Sequence, residues 1–244
     1  MTQQQTKAKI FLADQRGAQQ TKQFQSKYTF NYGSYYNEHK NGFGNIYLLN
    51  DDMLAGAGEL NMEVKQASYI LLIPIAGAIR YKDNLNNNHF IAAGQVHCME
   101  APEGLLMNIS NPFRDDYVNF LQVWIKVDKP NRASGRSDLF TYEDVNERLN
   151  NLVYVLPDKK IAAAYPFSVS LGKFAGRGEG VYQTKNGNVG LFVFVAEGAF
   201  EVEGRLLHAR DGLALWDPKT IEMEALSNGA IVFIFELSNA DTIV

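Results

Sequence analysis

Apolar and polar residues alternate along much of the chain in short runs, each closed by glycine, proline, asparagine or aspartate. Residues 58–77 show the pattern most fully: Gly-Glu-Leu-Asn-Met-Glu-Val-Lys-Gln-Ala-Ser-Tyr-Ile-Leu-Leu-Ile-Pro-Ile-Ala-Gly. Residues 69–73 form an unbroken apolar run stopped by Pro74, which is how a strand buried on both faces reads. The run is far too short to span a bilayer, which needs roughly 20 apolar residues. Ala78-Ile79-Arg80-Tyr81 returns in alternation, so the spacing predicts an antiparallel hairpin with its turn at Ala76-Gly77. Further strands are predicted at 9–12, 45–49, 90–92, 95–100, 105–111 and 117–127, and then at 167–172, 189–195, 199–202, 213–216 and 230–237. Residues 14–27 are polar and glutamine-rich, and 28–36 read as a packed, irregular aromatic segment. Regular short strands with such punctuation predict an all-β sandwich or barrel.

Residues 129–151 break the rhythm. They are polar, carry Pro130 and Gly135, and hold the one predicted helix, around 142–150 with Thr141 as its N-cap. The two sides of this segment echo each other. Ile73-Pro74-Ile75-Ala76-Gly77 and its return strand resemble Phe194-Val195-Ala196-Glu197-Gly198 and its return strand. A second glycine, Gly94 or Gly212, opens another strand in each half. Self-similarity of this kind predicts a duplicated β-barrel: an N-terminal domain over 1–130, a partly helical linker over 131–151 and a C-terminal domain over 152–244.

Charge narrows the function classes. The 244 residues carry a formal net charge of −4, with Lys and Arg scattered, so no electrostatic footprint for nucleic acid or an anionic membrane is present. The single cysteine, Cys98, excludes an internal disulfide and fits a reducing, cytoplasmic setting. Its neighbour His97 must point to the opposite face of a strand, so the two cannot hold one metal together. His97 follows Gly94 and is a candidate for the first barrel's lumen, although a hydrogen-bonded or surface role is the simpler expectation. His39 and His89 are expected in solvated loops, and His208 at a hairpin end. The glycine-rich stretch 172–180 lacks the Gly-Lys-Ser/Thr ending of a phosphate loop and reads as a connection between strands.

Several separated motifs bear a family resemblance. Tyr28-Thr29-Phe30, Tyr35-Tyr36, Gly42-Phe43-Gly44, Leu49-Asn50-Asp51-Asp52, Gly56-Ala57-Gly58 and Gln122-Val123-Trp124-Ile125 occur in order. With Gly212-Leu213-Ala214-Leu215-Trp216-Asp217 in the second half, they resemble the pirin family of bicupins, which includes quercetin 2,3-dioxygenase-like proteins. The resemblance implies two cupin barrels and, in most members, one iron or other divalent metal in the first. Its ligands are a His-x-His pair, followed on a later strand by a His and a Glu two residues apart. Counted back from Gly77, the pair falls on Glu63 and Lys65; counted back from Asn111-Pro112, the later two fall on Met107 and Ile109. None of these four is the family residue, and Lys, Met and Ile are poor donors for a hard divalent ion.

The expectation is therefore a pirin-like bicupin without a metal cofactor, more a binding or regulatory module than an enzyme. Glu63, Lys65, Met107 and Ile109 mark its ligand pocket, with His97 as a further polar group. A small apolar or aromatic molecule in the N-terminal barrel, or a protein, is the partner, with no nucleic acid and no membrane. One alternative is a quercetin 2,3-dioxygenase-type enzyme with an unconventional metal site built on Glu63 and His97. Another is a structural or interaction protein whose lumen is filled by its own side chains. An open lumen near Lys65 and Met107 distinguishes the first of these from the last.

Overall fold

A computed structural model describes residues 6–127, 135–142, 144–156, 165–184 and 189–238. Strand β1 (Ala8–Phe11) opens the chain. It is followed by β2 (Gly17–Gln20), β3 (Phe24–Tyr28), β4 (Ile46–Leu54), β5 (Glu59–Glu63), β6 (Ser68–Ala76), β7 (Ala78–Asp83), β8 (Asn88–Ala92), β9 (Gln95–Ala101), β10 (Leu106–Ser110), β11 (Val118–Lys126) and β12 (Ser137–Thr141). The second half holds β13 (Asn151–Leu156), β14 (Phe167–Phe174), β15 (Glu179–Gln183), β16 (Val189–Glu197), β17 (Ala199–Val202), β18 (Arg205–His208), β19 (Gly212–Trp216), β20 (Thr220–Ala225) and β21 (Ala230–Ser238). Apart from one short 3-10 turn at Ala13–Gln15, the regular structure among the described residues is strand.

The chain divides into two compact units, residues 16–141 and residues 1–15 with 142–244. Each is a pair of antiparallel sheets with the same internal order. In the first unit the larger sheet runs β12-β9-β6-β11-β4-β3-β2 and the smaller β5-β10-β7-β8. In the second unit the larger runs β1-β19-β16-β21-β14-β13 and the smaller β15-β20-β17-β18. The duplication read from the glycine hairpins is thus a duplication of topology. Both hairpin glycines sit in the left-handed region, Gly77 at φ +77° and Gly198 at φ +75°, where a side chain is strained.

The domain limits differ from those expected in two places. Strand β1 pairs with β19, so the first residues complete the second unit's sheet and not the first's. The Ala13 amide donates to Asp211 Oδ1 at 2.7 Å, which holds the segment there. At the other end β12, inside the expected linker, pairs with β9 at the edge of the first unit's sheet. The helix expected around 142–150 is not formed among the described residues; 145–150 are turns. The Asp144 carboxylate accepts from the Asn146 backbone amide and side chain, closing a local turn at the start of this segment.

The polar segment 14–27 conceals the β2–β3 hairpin. It has little strand propensity of its own, and its ladder to β4 supplies the pairing, from Phe24 opposite Leu54 to Tyr28 opposite Asn50. The first barrel's core lies between its two sheets and includes Leu48, Leu54, Ile70, Leu72, Tyr81, Met99, Phe120 and Trp124. The second barrel's core is built the same way from Phe174, Leu191, Val193, Phe200, Leu213, Val232 and Ile234.

Candidate binding site in the first barrel

The side chains at the positions where the resemblance expects a metal face two different ways. Strand β5 alternates: Leu60 and Met62 pack against the core, while Glu59, Asn61 and Glu63 are exposed. Val64 is fully buried, and Lys65 is exposed beyond it. Glu63 and Lys65 pair with each other in solvent, outside the barrel, with side chains 47% and 77% exposed. Such a pair adds little to stability. Met107 and Ile109 on β10 are buried in the core, with Met107 opposite Met62 and Ile109 opposite Leu60.

Glu63 and Lys65 are not in the lumen; a bulge also interrupts the strand that follows them. Asn119 pairs with Ala76 but Phe120 pairs with Pro74, so Ile75 is an extra residue between Gly77 and the rest of β6. Along β5 and just beyond it, side-chain direction has a period of two, so Glu63 and Lys65 share the outward face and their neighbours share the inward one. The inward positions are Met62 and Val64. With Met107 and Ile109 they present thioether and hydrocarbon where a hard divalent cation requires imidazole or carboxylate. The residues at this place do not fit the family's metal. Among the described residues, no three His, Cys, Asp or Glu side chains cluster in a way that holds a metal ion.

His97 does face inward. It shares its side of β9 with the core residues Met99 and Ala101, is fully buried, and its ring lies 4.7 Å from that of Tyr81. Cys98 is buried on the opposite face. His89 lies not in a loop but on β8, half-buried, with its ring 4.6 Å from His97. The Ser137 hydroxyl sits between them, 2.7 Å from His97 Nε2 and 2.9 Å from His89 Nε2. Strand pairing across β12 creates this group, and no sequence spacing announces it. Burial pushes the His97 imidazole down to about 3, with His89 reinforcing the shift and Asp83 and Asp138 opposing it. The ring is therefore neutral at physiological pH. Tyr81 closes the group by donating to Asp83 Oδ2 at 2.7 Å and to Met99 Sδ at 3.0 Å.

A second polar group lies on β3, β4 and β11. Asn50 and Asp52 occupy the lumen side of β4 between Leu48 and Leu54, and Gln122 occupies that of β11 between Phe120 and Trp124. Ser26 stands directly across from Asp52, and Gln122 across from Asn50. All four are at most 2% exposed. The Gln122 amide donates to Asp52 Oδ2, and the Trp124 indole donates to Gln122 Oε1 at 3.2 Å. Asp52 Oδ1, Asn50 Oδ1 and Ser26 Oγ make no close hydrogen bond among the described residues, although the Ser26 hydroxyl is near enough to act on Asp52 as a hydrogen-bonding neighbour. Burial pushes the Asp52 carboxyl up to about 7; Ser26, Gln122 and, more weakly, Arg16 pull the other way, while Asp51 adds to the rise. Aromatic rings border the group: Tyr28 and Tyr32 meet edge to face at 5.0 Å, and Tyr47 and Trp124 at 6.3 Å.

Residues 11–125 match the family model described as Pirin, and residues 166–237 match that of the quercetinase C-terminal cupin domain. The chain belongs to the pirin family. A protein of Pseudomonas aeruginosa named putative quercetin 2,3-dioxygenase is 26% identical over 86% of this chain and 90% of its own length. The Escherichia coli K12 protein named quercetin 2,3-dioxygenase is 22% identical over 92% and 96%. Caulobacter vibrioides has a pirin-like protein 27% identical over 86% and 90%. Among solved structures, YhhW of Escherichia coli superposes with a TM-score of 0.83 at 21% identity, covering 97% of this chain and all of that one. The same bacterial pirin in complex with nickel(II) gives 0.81 at 21% identity, covering 96% of this chain and all of that one. At these identities the structural likeness speaks for the fold. Among the described residues no helix is long and apolar enough to cross a membrane.

Proposed function

We propose that this pirin-family bicupin is a non-catalytic binding or regulatory protein whose first barrel has lost the family's metal. The observation that carries the reading is the set of inward side chains on β5 and β10, which are Met62, Val64, Met107 and Ile109 and bring no hard donor to the lumen. Activation of O₂ on a flavonol needs a redox-capable centre, and this donor set supports none. Met107 is only 3% exposed and packed among core residues. An open pocket at that point is thereby disfavoured, which counts toward the purely structural alternative. What keeps binding in view is the polar wall of Ser26, Asn50, Asp52 and Gln122, which a filler core does not require. Its aromatic border suits a small ligand with an apolar or aromatic body. That the chain's single cysteine, Cys98, is buried accords with a cytoplasmic setting.

One observation favours a second reading, a quercetin 2,3-dioxygenase-type enzyme with a relocated metal. His89 and His97 converge on Ser137, and the names of several relatives point the same way. Two imidazoles and a hydroxyl are a thin set, one protein ligand short of common catalytic sites. The experiment is elemental analysis of the untagged protein after incubation with Fe(II), Mn(II), Ni(II), Cu(II) and Zn(II), with quercetin consumption followed in the same samples. The expected outcome is substoichiometric metal and no turnover. About one metal per chain together with turnover overturns the proposal, and loss of both in His97→Ala would assign the site.

A further inference from the structure

We propose that the polar wall of the first barrel, Ser26, Asn50 and Asp52 between the rings of Tyr28, Tyr32, Tyr47 and Trp124, is a binding site for a primary ammonium group. The inference rests on the reading of this barrel as a metal-free binding module and names the class of ligand it takes.

Gln122 bonds one oxygen of the Asp52 carboxyl and the Ser26 hydroxyl acts on that carboxyl as a hydrogen-bonding neighbour, while the three oxygens that make no close hydrogen bond, Asp52 Oδ1, Asn50 Oδ1 and Ser26 Oγ, are all able to accept. Leaving such groups buried and unbonded is destabilising. They share one neighbourhood. Ser26 and Asp52 are a directly opposed cross-strand pair, so their Cβ atoms stand about 5 Å apart. Asn50 is two residues along the same face, about 7 Å away at the usual strand rise. The missing partner must therefore bring several donors and, facing a carboxyl with no cation bonded to it among the described contacts, a positive charge.

Three candidates meet part of that need. A water molecule supplies two donors and no charge. A calcium ion takes six to eight oxygens, and beyond these three the surroundings turn aromatic. A primary ammonium carries three donors and no acceptor, the same number as the open oxygens. Its cationic head also gains from aromatic faces nearby. Tyr28 is 4% exposed and stacks edge-on to Tyr32. Tyr32 and Tyr47 are half-buried against the core, and burial, with Tyr28, Asp52 and Tyr47 adding to it, pushes the Tyr32 hydroxyl up to about 12, so it stays neutral. The nearest ionic groups besides Asp52 are Asp51 and Arg16, which face each other at 3.5 Å. Nothing equivalent occurs at the outward pair Glu63 and Lys65, which bond to one another.

The test is calorimetric titration of the full-length protein at pH 8 with butylammonium and phenethylammonium. The comparison ligands are butanol, tetramethylammonium, potassium and calcium. Saturable binding of the primary ammonium ions at one per chain is expected, with butanol and tetramethylammonium at least about tenfold weaker. Asp52→Asn keeps the shape but removes the charge, and Ser26→Ala removes one acceptor; losses of at least about tenfold and a smaller factor are expected, by the strength of charge-assisted and neutral hydrogen bonds. Thermal unfolding of both variants establishes that they fold. Equal binding of ammonium and butanol, equal binding in Asp52→Asn, or no binding overturns the proposal; the last outcome leaves an internal water as the wall's partner. Stronger binding of potassium or calcium overturns it in favour of an oxygen-ligated metal ion. Metal content and quercetin turnover are recorded on the same samples, so a metal-loaded, active protein sinks the metal-free reading separately from the amine result.

Discussion

The two barrels share a topology but differ in what they bury. Each inner strand carries a bulge two residues before its hairpin glycine: Ile75 in β6, skipped between Ala76 and Pro74, and Ala196 in β16, skipped between Glu197 and Val195. Aligned on these bulges, Phe120 corresponds to Val232 and Gln122 to Ile234. Opposite them, Asp52 corresponds to Gly172 and Asn50 to Ser170, and one strand further Ser26 corresponds to Leu152. The second barrel thus holds Leu, Gly and Ile where the first holds Ser, Asp and Gln. One of its two buried carboxyls among the described residues, Glu236, lies elsewhere on β21 and accepts from the Tyr182 hydroxyl at 2.6 Å. Burial and Glu236 together push the Tyr182 pKa up, so the proton stays on the tyrosine and the pair is closed. Asp52 has one amide donor and an open oxygen. A fold tolerates a buried carboxyl once it is supplied with donors; one left half supplied marks a place where a ligand, a water or a proton is expected.

The largest effect is expected if the second barrel is given the first barrel's acid. A Cβ on Gly172 would lie 2.5 Å from the Phe174 ring and 2.9 Å from Leu152. Gly172→Asp therefore adds overpacking to an unpaired charge, and a loss of about 3 kcal/mol or more in urea unfolding is expected. An unchanged midpoint would show that the two barrels are interchangeable at this position.

Next comes the closed pair. Tyr182→Phe removes a donor to a buried carboxylate and should cost about 2 kcal/mol by urea unfolding. A neutral effect would mean that Glu236 is already satisfied without it.

The pH dependence sharpens the contrast within the first barrel. The folded pKa of Asp52, about 7, lies above its ordinary value of 3.8. The folded state then binds the extra proton between these values, so stability from this group is greatest below pH 4. It declines as pH rises toward 7 and is level above. His97 has the opposite sign: its folded pKa, about 3, lies below the ordinary 6.5, so its contribution is lost as pH falls from 6.5 toward 3. Asp52→Asn should raise stability at pH 8 by roughly 1–2 kcal/mol, given the usual size of such buried-charge effects, and flatten the decline between pH 4 and 7. Urea midpoints across that range measure both. A curve identical to that of the parent protein would place the Asp52 pKa near its ordinary value.

The smallest effect is expected at the outward pair. Glu63→Ala and Lys65→Ala should each change stability by less than about 0.5 kcal/mol, as exposed ion pairs do, and leave any ligand titration untouched. A large effect on binding would place those side chains in the site after all.

Much of this was legible in the linear pattern. Runs such as 69–73, ended by Pro74 and turned by Gly77, specify strands and a hairpin because burial on both faces and a left-handed turn leave few alternatives. The echo at Gly198 specified a second barrel, and motifs such as Leu49-Asn50-Asp51-Asp52 pointed to the family. Strand β1 was readable as a strand but not as the second unit's edge, because pairing to β19 joins residues some two hundred positions apart. The β2–β3 hairpin was hidden because its residues have no strand preference until β4 supplies a ladder. The polarity of Asp52 and Gln122 stood in the sequence; their meeting did not, since Gln122 lies 70 positions from Asp52. His89 and His97 meet through Ser137 for the same reason, brought together by β8, β9 and β12. Faces were the last thing decided. Along β5 and just beyond it, the solvent-exposed Glu63 and Lys65 alternate with the half-buried Met62 and the buried Val64. Side-chain direction in a strand has a period of two, so only the paired structure, with its register counted, determines which residues line the barrel.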